Sequence, residues 1–297
     1  MIALRRNRRI PLAFCLFLTM VGGCGEDIRQ PKSSREPPPS SALSHFEPTT
    51  AGLIHGQVIW KGDIPVVPTL LIRANPIGGD ALGKRQIQPN PNAPVIHPQN
   101  QGVGNAVIFL RGVEAAKAKS RTLPPVRVEQ RELHLHVLQG DLDSSYGFVR
   151  RGDPIEMVSR DSYFHALHVG GANFFTLMFP DPDHPLFRPL KENGLVELTS
   201  AAGYYWMRAY LFVDDHPYYV RTDREGRFSL EQVPPGRYEV VCWIPNWQEA
   251  RHERDPESGV ITRLFFQPPV ILVQKVELGQ QESKEVRVTP SLKDFKR

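Results

Sequence analysis

The chain has 297 residues, of which 40% are hydrophobic, and this is enough apolar surface for one or two cores. Its formal net charge of +4 lies entirely in Arg5, Arg6, Arg8 and Arg9, so the rest of the chain is neutral. A neutral chain with scattered charges gives no electrostatic case for nucleic acid as a partner.

The N-terminus predicts an export signal. An apolar run, Ile10–Val21, follows the arginines and is followed by Gly22, Gly23 and Cys24. As a helix this run is about 18 Å long, too short for a bilayer core of roughly 30 Å. Small residues before a cysteine resemble the lipobox of bacterial lipoproteins. The resemblance implies a signal peptide over 1–23, a lipid on Cys24, and a location in the bacterial cell envelope, on the periplasmic or cell-surface side.

An ordinary signal peptide, cleaved nearby and leaving Cys24 unmodified, is the alternative.

Residues 24–51 are rich in proline and serine and have few large apolar side chains, so they predict a disordered tether. Cys15 would leave with the signal and Cys24 would carry lipid, so Cys242 would have no cysteine partner for a disulfide. We expect Cys242 to be a small buried side chain.

From residue 52 the patterns are short and predict an all-β chain of two β-sandwiches, over 52–213 and 214–292. Residues 75–104 predict a long loop, and Val113–Lys119 is the one helical candidate. The predicted strands are Gly56–Trp60, Leu70–Ala74, Ala106–Leu110, Leu133–Leu138, Ile155–Ser159, Met207–Val213, Tyr218–Thr222, Arg227–Leu230, Tyr238–Trp243, Val270–Val276 and Glu285–Val288.

Two turns mark the second sandwich. The segments Thr222–Leu230 and Val233–Val240 contain the pattern T-D-x-x-G-x-F followed by P-x-G-x-Y. They resemble the carboxypeptidase regulatory-like (transthyretin-like) sandwich, and the resemblance implies a non-catalytic accessory module. Gly226 and Gly236 are expected at turn positions that require special backbone angles.

A second resemblance lies upstream. Its segments look like a divergent cupredoxin-like domain: Asn105–Gly112, Val128–Gln130, Arg151–Asp153, Asp161–His168 and Tyr204–Tyr210. The segment Gly52–Pro65 fits the first hairpin of either sandwich, so the sequence leaves its place open.

The cupredoxin resemblance also implies where copper ligands would lie. A blue copper site uses two imidazoles, a thiolate and a weak axial thioether. The family pattern C-x-x-H-x-W-M places the thiolate at Ala201 and the second imidazole at Tyr204, while His165 and Met207 occupy matching positions. Leu133 stands where relatives often have cysteine. We therefore expect a scaffold without its copper ligands, and no cofactor.

Copper or zinc remains an alternative through four imidazoles. His134 and His136 are two residues apart on a predicted strand, and His165 and His168 lie on a neighbouring segment. The competing interpretation is that His134 and His136 face solvent, opposite Leu133, Leu135 and Val137.

The sequence contains no Gly-x-Ser-x-Gly elbow, His-Glu-x-x-His motif or phosphate-binding loop, so we expect no enzyme activity. The prolines around Asp181, Asp183 and His184 predict a kinked loop rather than an acid–base pair. The following aromatic residues predict core more than an exposed surface for sugars or peptides: Tyr204, Tyr205, Trp206, Tyr210, Phe212, Tyr218 and Tyr219.

These observations predict a lipid-anchored envelope protein that binds or scaffolds. Its partners would be the membrane, through the lipid, and an envelope protein or polysaccharide. A metal-binding or electron-transfer protein using the remaining histidines is the second hypothesis, and a hydrolase of envelope polysaccharide or peptide is the third.

Overall fold

A computed structural model describes residues 45–73, 85–120 and 123–295, apart from the side chains of Arg73 and Arg85. The predicted signal peptide, Cys24 and residues 24–44 of the predicted tether lie outside the described residues. In the part of the chain that the structure describes, no helix has the length and apolar composition needed to span a membrane.

The all-β prediction is confirmed, since strands make up almost all of the regular structure. In chain order the first twelve strands are β1 (Gly52–Val58), β2 (Leu70–Arg73), β3 (Arg85–Gln88), β4 (Val95–Ile96), β5 (Val103–Gly104), β6 (Val107–Arg111), β7 (Val126–Arg131), β8 (His134–Gln139), β9 (Leu142–Ser144), β10 (Tyr146–Arg150), β11 (Pro154–Ser159) and β12 (His165–Gly171). The remaining strands are β13 (Phe175–Phe179), β14 (Leu186–Pro189), β15 (Gly194–Ser200), β16 (Arg208–Asp214), β17 (Tyr219–Arg221), β18 (Arg227–Val233), β19 (Gly236–Ile244), β20 (Glu249–Arg254), β21 (Ile261–Phe266), β22 (Val270–Leu278) and β23 (Ser283–Val288). A 3₁₀ turn covers Ala115–Lys117, and a short helix, α1, covers Leu292–Phe295.

The middle of the chain forms the first sandwich. One sheet has the order β10-β16-β15-β12-β13, and the other has the order β14-β11-β7-β8-β9. Alternate residues of each strand face the core, as the two-residue period of a strand requires. On β16, for example, Ala209, Leu211 and Val213 belong to this buried core.

The second sandwich combines strands from both ends of the described chain. A three-stranded sheet, β18-β1-β23, packs against a four-stranded sheet, β17-β6-β19-β22. Strand β1 lies at the centre of the smaller sheet, antiparallel to β18 and parallel to β23. The core of the second sandwich includes Ile54, Ile108, Phe228, Tyr238 and Val240.

The strand pairing corrects the predicted boundary between 52–213 and 214–292. Strands β1 and β6 belong to the second sandwich, because β1 pairs with β18 and β23 while β6 pairs with β17 and β19. The first sandwich is therefore inserted between β6 and β17. The open question about Gly52–Pro65 is answered by the same pairing, since β1 lies in this segment.

Three further predictions need correction. The tether predicted over 24–51 ends earlier, because the amide of His45 donates to the carbonyl of Ala116 (2.8 Å) and that of Gln281 donates to Thr50 (3.0 Å). The predicted loop over 75–104 contains β3, β4 and β5 in its described part. The helical candidate Val113–Lys119 forms only the three-residue 3₁₀ turn.

An aromatic layer joins the two sandwiches. The outer face of β10 and β16 packs against the outer face of the β17-β6-β19-β22 sheet. Parallel pairing aligns Tyr146 with Tyr210 and Phe148 with Phe212, and the ring of Trp243 meets Tyr210 edge-on at 5.0 Å between centroids. Edge-to-face aromatic pairs contribute about 0.5–1.5 kcal/mol beyond the area that they bury.

Of the two glycines expected at special turn positions, one is confirmed. Gly226 has φ +78°, and an added Cβ would lie 2.2 Å from the carbonyl oxygen of Val58. Gly236 begins β19 outside the left-handed region, so the prediction for this residue is wrong. A side chain at Gly236 would instead meet the ring of Tyr238, whose hydroxyl donates to the carbonyl of Pro234 (2.8 Å).

We expect Gly226→Ala to destabilise the protein by about 3 kcal/mol or more, because it combines left-handed strain with overlap against backbone. Gly152→Ala is the matched control: Gly152 has φ +86° but nothing within 4 Å of an added Cβ, so strain alone should cost about 1–2 kcal/mol. Denaturant unfolding of both variants measures the difference. Equal losses would show that close approach to Val58 is unimportant.

Candidate functional site

Asp161 lies in the cupredoxin-like pattern, and its carboxylate is hydrogen-bonded to the turn between β7 and β8. The carboxylate of Asp161 accepts hydrogen bonds from the amides of Glu132 (2.7 Å) and Leu133 (3.0 Å). Both turn residues have positive φ, 53° and 59°, without being glycine. Such a conformation is costly for an L-residue and requires support from its surroundings. The carboxylate provides that support.

His165 is completely buried beside this carboxylate. Its Nε2 lies 2.9 Å from Oδ2 of Asp161, and since a carboxylate only accepts, Nε2 donates the proton. Burial lowers the pKa of His165, although Asp161 opposes the shift. The imidazole is therefore neutral, and Nδ1 carries a lone pair with no hydrogen-bond partner among the described residues.

The neighbouring positions do not complete a blue copper site. Tyr204 is buried with its ring centroid 5.1 Å from that of His165, and Ala201 is exposed. Met207 is buried, while the indole of Trp206 donates to the carbonyl of Leu133 (2.9 Å). One imidazole and one thioether lack the thiolate and second imidazole that a blue copper site uses.

The other histidines predicted as an alternative metal site have separate surroundings. His134 is exposed, with Nδ1 2.8 Å from the carbonyl of Glu132, and His136 pairs with Asp143 (2.9 Å). His168 lies on the outer face of the other sheet and contacts the hydroxyl of Thr176 (3.2 Å). Across the described ranges, no three His, Cys, Asp or Glu side chains are grouped to hold a metal ion. The four imidazoles therefore do not converge, and this alternative is wrong as a four-ligand site.

The acidic loop and the remaining cysteine have structural contacts. Asp183 forms an ion pair with Arg160 (2.6 Å), and Nδ1 of His184 lies 2.9 Å from the carbonyl of Pro182. Both Asp183 and His184 are exposed. Cys242 is buried, and desolvation raises the pKa of its thiol to about 12, so the reactive thiolate is disfavoured.

A second site, which sequence reasoning missed, lies on the outer face of the β10-β16-β15-β12-β13 sheet. We call it the sheet cleft. Its volume is about 260 Å³, and its floor consists of His168, Gly170, Glu197, Thr199, Arg208 and Tyr210. Trp243 of the second sandwich lines one side, and residues 262–269, which include all of β21 except its first residue, line another. The cleft therefore combines residues from both sandwiches.

Arg208 is the central charged group of the sheet cleft. Its guanidinium donates to the carboxylate of Glu197 and to the carbonyl of Leu264 (2.6 Å), and it lies 4.7 Å from the centroid of the Phe266 ring. Arg208 is 8% exposed, and its Nε has no hydrogen-bond partner among the described residues. A buried donor without a partner costs about 1–3 kcal/mol.

Trp243 presents a second such donor. The residue is 3% exposed, and its indole N–H has no partner among the described residues. The neighbouring Tyr210 differs, since its hydroxyl contacts Oδ1 of Asn92 (3.0 Å) and burial raises its pKa to about 12. Both nitrogen atoms, on Arg208 and Trp243, have almost no accessible surface, so they are enclosed by protein rather than exposed to the cleft. The cleft is a candidate binding site because its lining combines charged, hydroxyl and aromatic side chains.

No family model matches the chain, and no curated protein is significantly similar to it. Among solved structures, a mutant of amicyanin in its Cu(I) form is 14% identical, with a TM-score of 0.25, over 36% of this chain and 97% of the other. Cu-containing nitrite reductase (NirK) from Thermus scotoductus SA-01 is 15% identical, with a TM-score of 0.25, over 32% of this chain and 24% of its own. Likenesses with a TM-score of 0.25 carry no argument about the family, the ligands or the activity of this chain.

The buried imidazole predicts loss of stability in acid. Because the folded-state pKa of His165 lies below its unfolded value of about 6.5, the unfolded chain takes up the proton first as the pH falls. The stabilising contribution is present above about pH 6.5 and decreases as the pH falls toward the folded-state pKa. We expect the free energy of unfolding to decline between pH 7.5 and 5.5, and His165→Gln to flatten that decline.

His168→Gln is the comparison variant. Burial also lowers the pKa of His168, with Arg263 adding to the shift, but this residue is partly exposed. Its replacement should change the slope less than His165→Gln. Denaturant titrations at several pH values measure the slopes, and an unchanged slope in His165→Gln would contradict the assignment of a buried neutral imidazole.

Proposed function

We propose that this protein is a non-catalytic binding protein of the bacterial cell envelope, held there by a lipid on Cys24. The observation that supports the binding role is the sheet cleft, a cavity of about 260 Å³ lined by charged, hydroxyl and aromatic side chains of both sandwiches. Ligand pockets are typically concave and largely apolar, with a few polar groups that orient the ligand, and the lining of the sheet cleft has this composition.

The charged groups elsewhere support a role without catalysis. Asp161 is engaged by two amides and by His165, and Asp183 is engaged by Arg160. General acid–base catalysis requires groups that can reach a substrate proton, and these carboxylates already accept structural hydrogen bonds. Lipid attachment is supported by the apolar run Ile10–Val21 and the small residues before Cys24.

We expect Cys24→Ser to release the protein from the membrane, because no lipid can then attach at this position. Membrane and soluble fractions of expressing bacteria, together with partition into detergent, measure the distribution. Cys242→Ser is the matched control, since Cys242 is buried and should leave the distribution unchanged. Continued membrane association of Cys24→Ser would contradict the lipid anchor.

The binding role is tested on the full chain purified in detergent. A ligand that binds the folded form raises the unfolding temperature, so we expect a rise with a component of a panel of envelope oligosaccharides and peptides. The panel components should be recovered unchanged. If no component raises the unfolding temperature, or if the chain cleaves one of them, the proposed function is wrong.

A metal-binding or electron-transfer role is the second candidate, and one observation favours it: the buried lone pair on Nδ1 of His165 has no partner among the described residues. Metal analysis and a visible absorption spectrum of the same preparation separate the two functions. Stoichiometric copper or a strong thiolate-to-copper band would favour this candidate over the binding role.

A further inference from the structure

A groove between the two sandwiches is lined by three arginines, Arg221, Arg224 and Arg227, and we call it the arginine groove. Its volume is about 1120 Å³. Strands β9 and β10 line it from the first sandwich, and β17, β18 and the turn between them line it from the second. We infer that the arginine groove binds a ligand with a carboxylate on an apolar body. This inference goes beyond the proposed function, because the groove shares no lining residue with the sheet cleft.

Arg221 lies at the rim of the aromatic layer. It pairs with Val107, a residue of that layer, and directly opposite residues of two antiparallel strands point to the same face. Its side chain is half-buried beside the layer. Burial lowers the pKa of Arg221, and the phenol of Tyr146, not a carboxylate, opposes the shift. A guanidinium stays charged in proteins, and this one has no anionic partner among the described residues, so an anionic ligand would supply the missing partner.

The donors of Arg221 and Tyr146 are open to a ligand. Neither side chain forms a hydrogen bond among the described residues, and neither is among the polar atoms that the protein encloses without a partner. Both residues line the groove, and each affects the pKa of the other, so the two groups are neighbours. Burial raises the pKa of Tyr146, so its phenol keeps the proton and can donate it. A carboxylate would accept from both groups, and such charge-assisted hydrogen bonds are stronger than neutral ones.

The other charges of the arginine groove also favour an anion. Arg224 and Arg227 are exposed and form no ion pair with a described carboxylate. Two carboxylates line the groove, but Asp143 is paired with Arg131 (3.0 Å), which lies outside it. Asp223 accepts a hydrogen bond from the backbone amide of Arg227 (2.7 Å). Three guanidiniums therefore face one carboxylate that has no cationic partner, and the resulting positive potential attracts a negative ligand.

The walls of the arginine groove suit an apolar body. Val95, Leu123 and Leu142 line it and are 49%, 37% and 56% exposed. Phe148 and Phe228 add aromatic surface to the same lining. Grouped apolar side chains on a surface mark binding sites, and covering them gives affinity that an inorganic anion cannot gain. The ligand is therefore an organic acid rather than free phosphate or sulfate.

Two sources of this chemistry fit the size of the groove. Its volume of about 1120 Å³ exceeds the roughly 300–1,000 Å³ of pockets for drug-sized ligands. A free organic acid and the C-terminal end of a peptide both carry a carboxylate beside an apolar group, and both can enter a groove of this size. The experiment below includes one arm for each source.

The experiment uses the full chain in a nonionic detergent and saturation-transfer NMR with phenylacetate. Phenylacetamide has the same body without the charge and corrects for uptake by micelles, while inorganic phosphate, added as a competitor, has the charge without the body. We expect phenylacetate to bind with a Kd on the order of 1 mM, since so small a ligand makes few contacts. Added salt should weaken this binding, because salt screens the guanidiniums. The amide and phosphate should bind at least about tenfold more weakly.

Arg221→Gln removes the charge and should weaken phenylacetate binding at least about tenfold, while Arg221→Lys should restore part of it. Because no described carboxylate pairs with Arg221, the glutamine variant leaves no buried partner behind and should fold. Arg263→Gln is the matched control, since it removes an arginine that lines the sheet cleft instead. Its Kd should be unchanged. Loss of binding in Arg263→Gln but not in Arg221→Gln would overturn the inference.

Tyr146→Phe is the second test variant. It removes the hydroxyl and keeps the ring that packs against Tyr210 and Trp243 in the aromatic layer. We expect it to fold and to weaken phenylacetate binding about tenfold, the loss expected for one hydrogen bond to a charged group. If Arg221→Gln fails to fold, Tyr146→Phe decides alone.

Alanyl-phenylalanine and its C-terminal amide distinguish the two sources. Tighter binding of the dipeptide than of phenylacetate, lost in the amide, would identify a peptide C-terminus as the ligand, and binding of phenylacetate alone would identify a free acid. The inference is overturned if phenylacetate does not bind, if phenylacetamide or phosphate binds as tightly, or if Arg221→Gln and Tyr146→Phe bind it normally. The proposed binding role of the sheet cleft would stand in each of these cases, because the two sites have separate linings.

Discussion

The architecture depends on the aromatic layer between the two sandwiches. Tyr210 and Phe212 project from the outer face of β16, and their exposure to water would leave a large apolar patch on a free sandwich. Packing against Trp243 and Phe109 buries this face, and edge-on and tilted rings fill the gap. The two sandwiches therefore form one packed unit rather than two independent domains joined by a linker.

The order of the strands follows from the same layer. The first sandwich is inserted between β6 and β17, and these two strands pair directly, with Phe109 opposite Tyr219. An inserted domain leaves and returns at neighbouring points, which lets its host fold around a continuous sheet. Because Phe109 and Tyr219 also stack at 5.0 Å and belong to the aromatic layer, the point of insertion lies at the contact between the sandwiches.

The positions of strands could be predicted from the sequence better than the pairing of those strands in sheets. All eleven predicted strands overlap observed ones, because alternation and turn residues are local signals. Twelve of the 23 strands in the described residues had no predicted counterpart, among them β12 and β15, which form part of the floor of the cleft. The pairing of β1 with β23 joins residues more than 200 positions apart and has no local signal. The burial of Tyr204, Trp206 and Tyr210 was predicted correctly from their spacing.

The two candidate sites differ in how far sequence could find them. A pattern pointed to His165, but the contacts of Asp161 with the turn at Glu132 and Leu133 appear only in three dimensions, because nothing in these residue types predicts positive φ. The sheet cleft had no motif at all. It exists because the outer face of one sheet is longer than the aromatic cover, which leaves Arg208 and Glu197 beyond it.

That origin gives the cleft a physical consequence. Its floor belongs to the first sandwich, while Trp243 belongs to the second and is also part of the aromatic layer. A ligand that contacts both binds only when the sandwiches are packed together, so its binding free energy adds to the stability of their interface. The guanidinium of Arg208 also donates a hydrogen bond to the carbonyl of Leu264, which lies on β21 at the other side of the cleft. A ligand bound at this site would therefore stabilise three parts of the fold at once, which a ligand within one sandwich would not do.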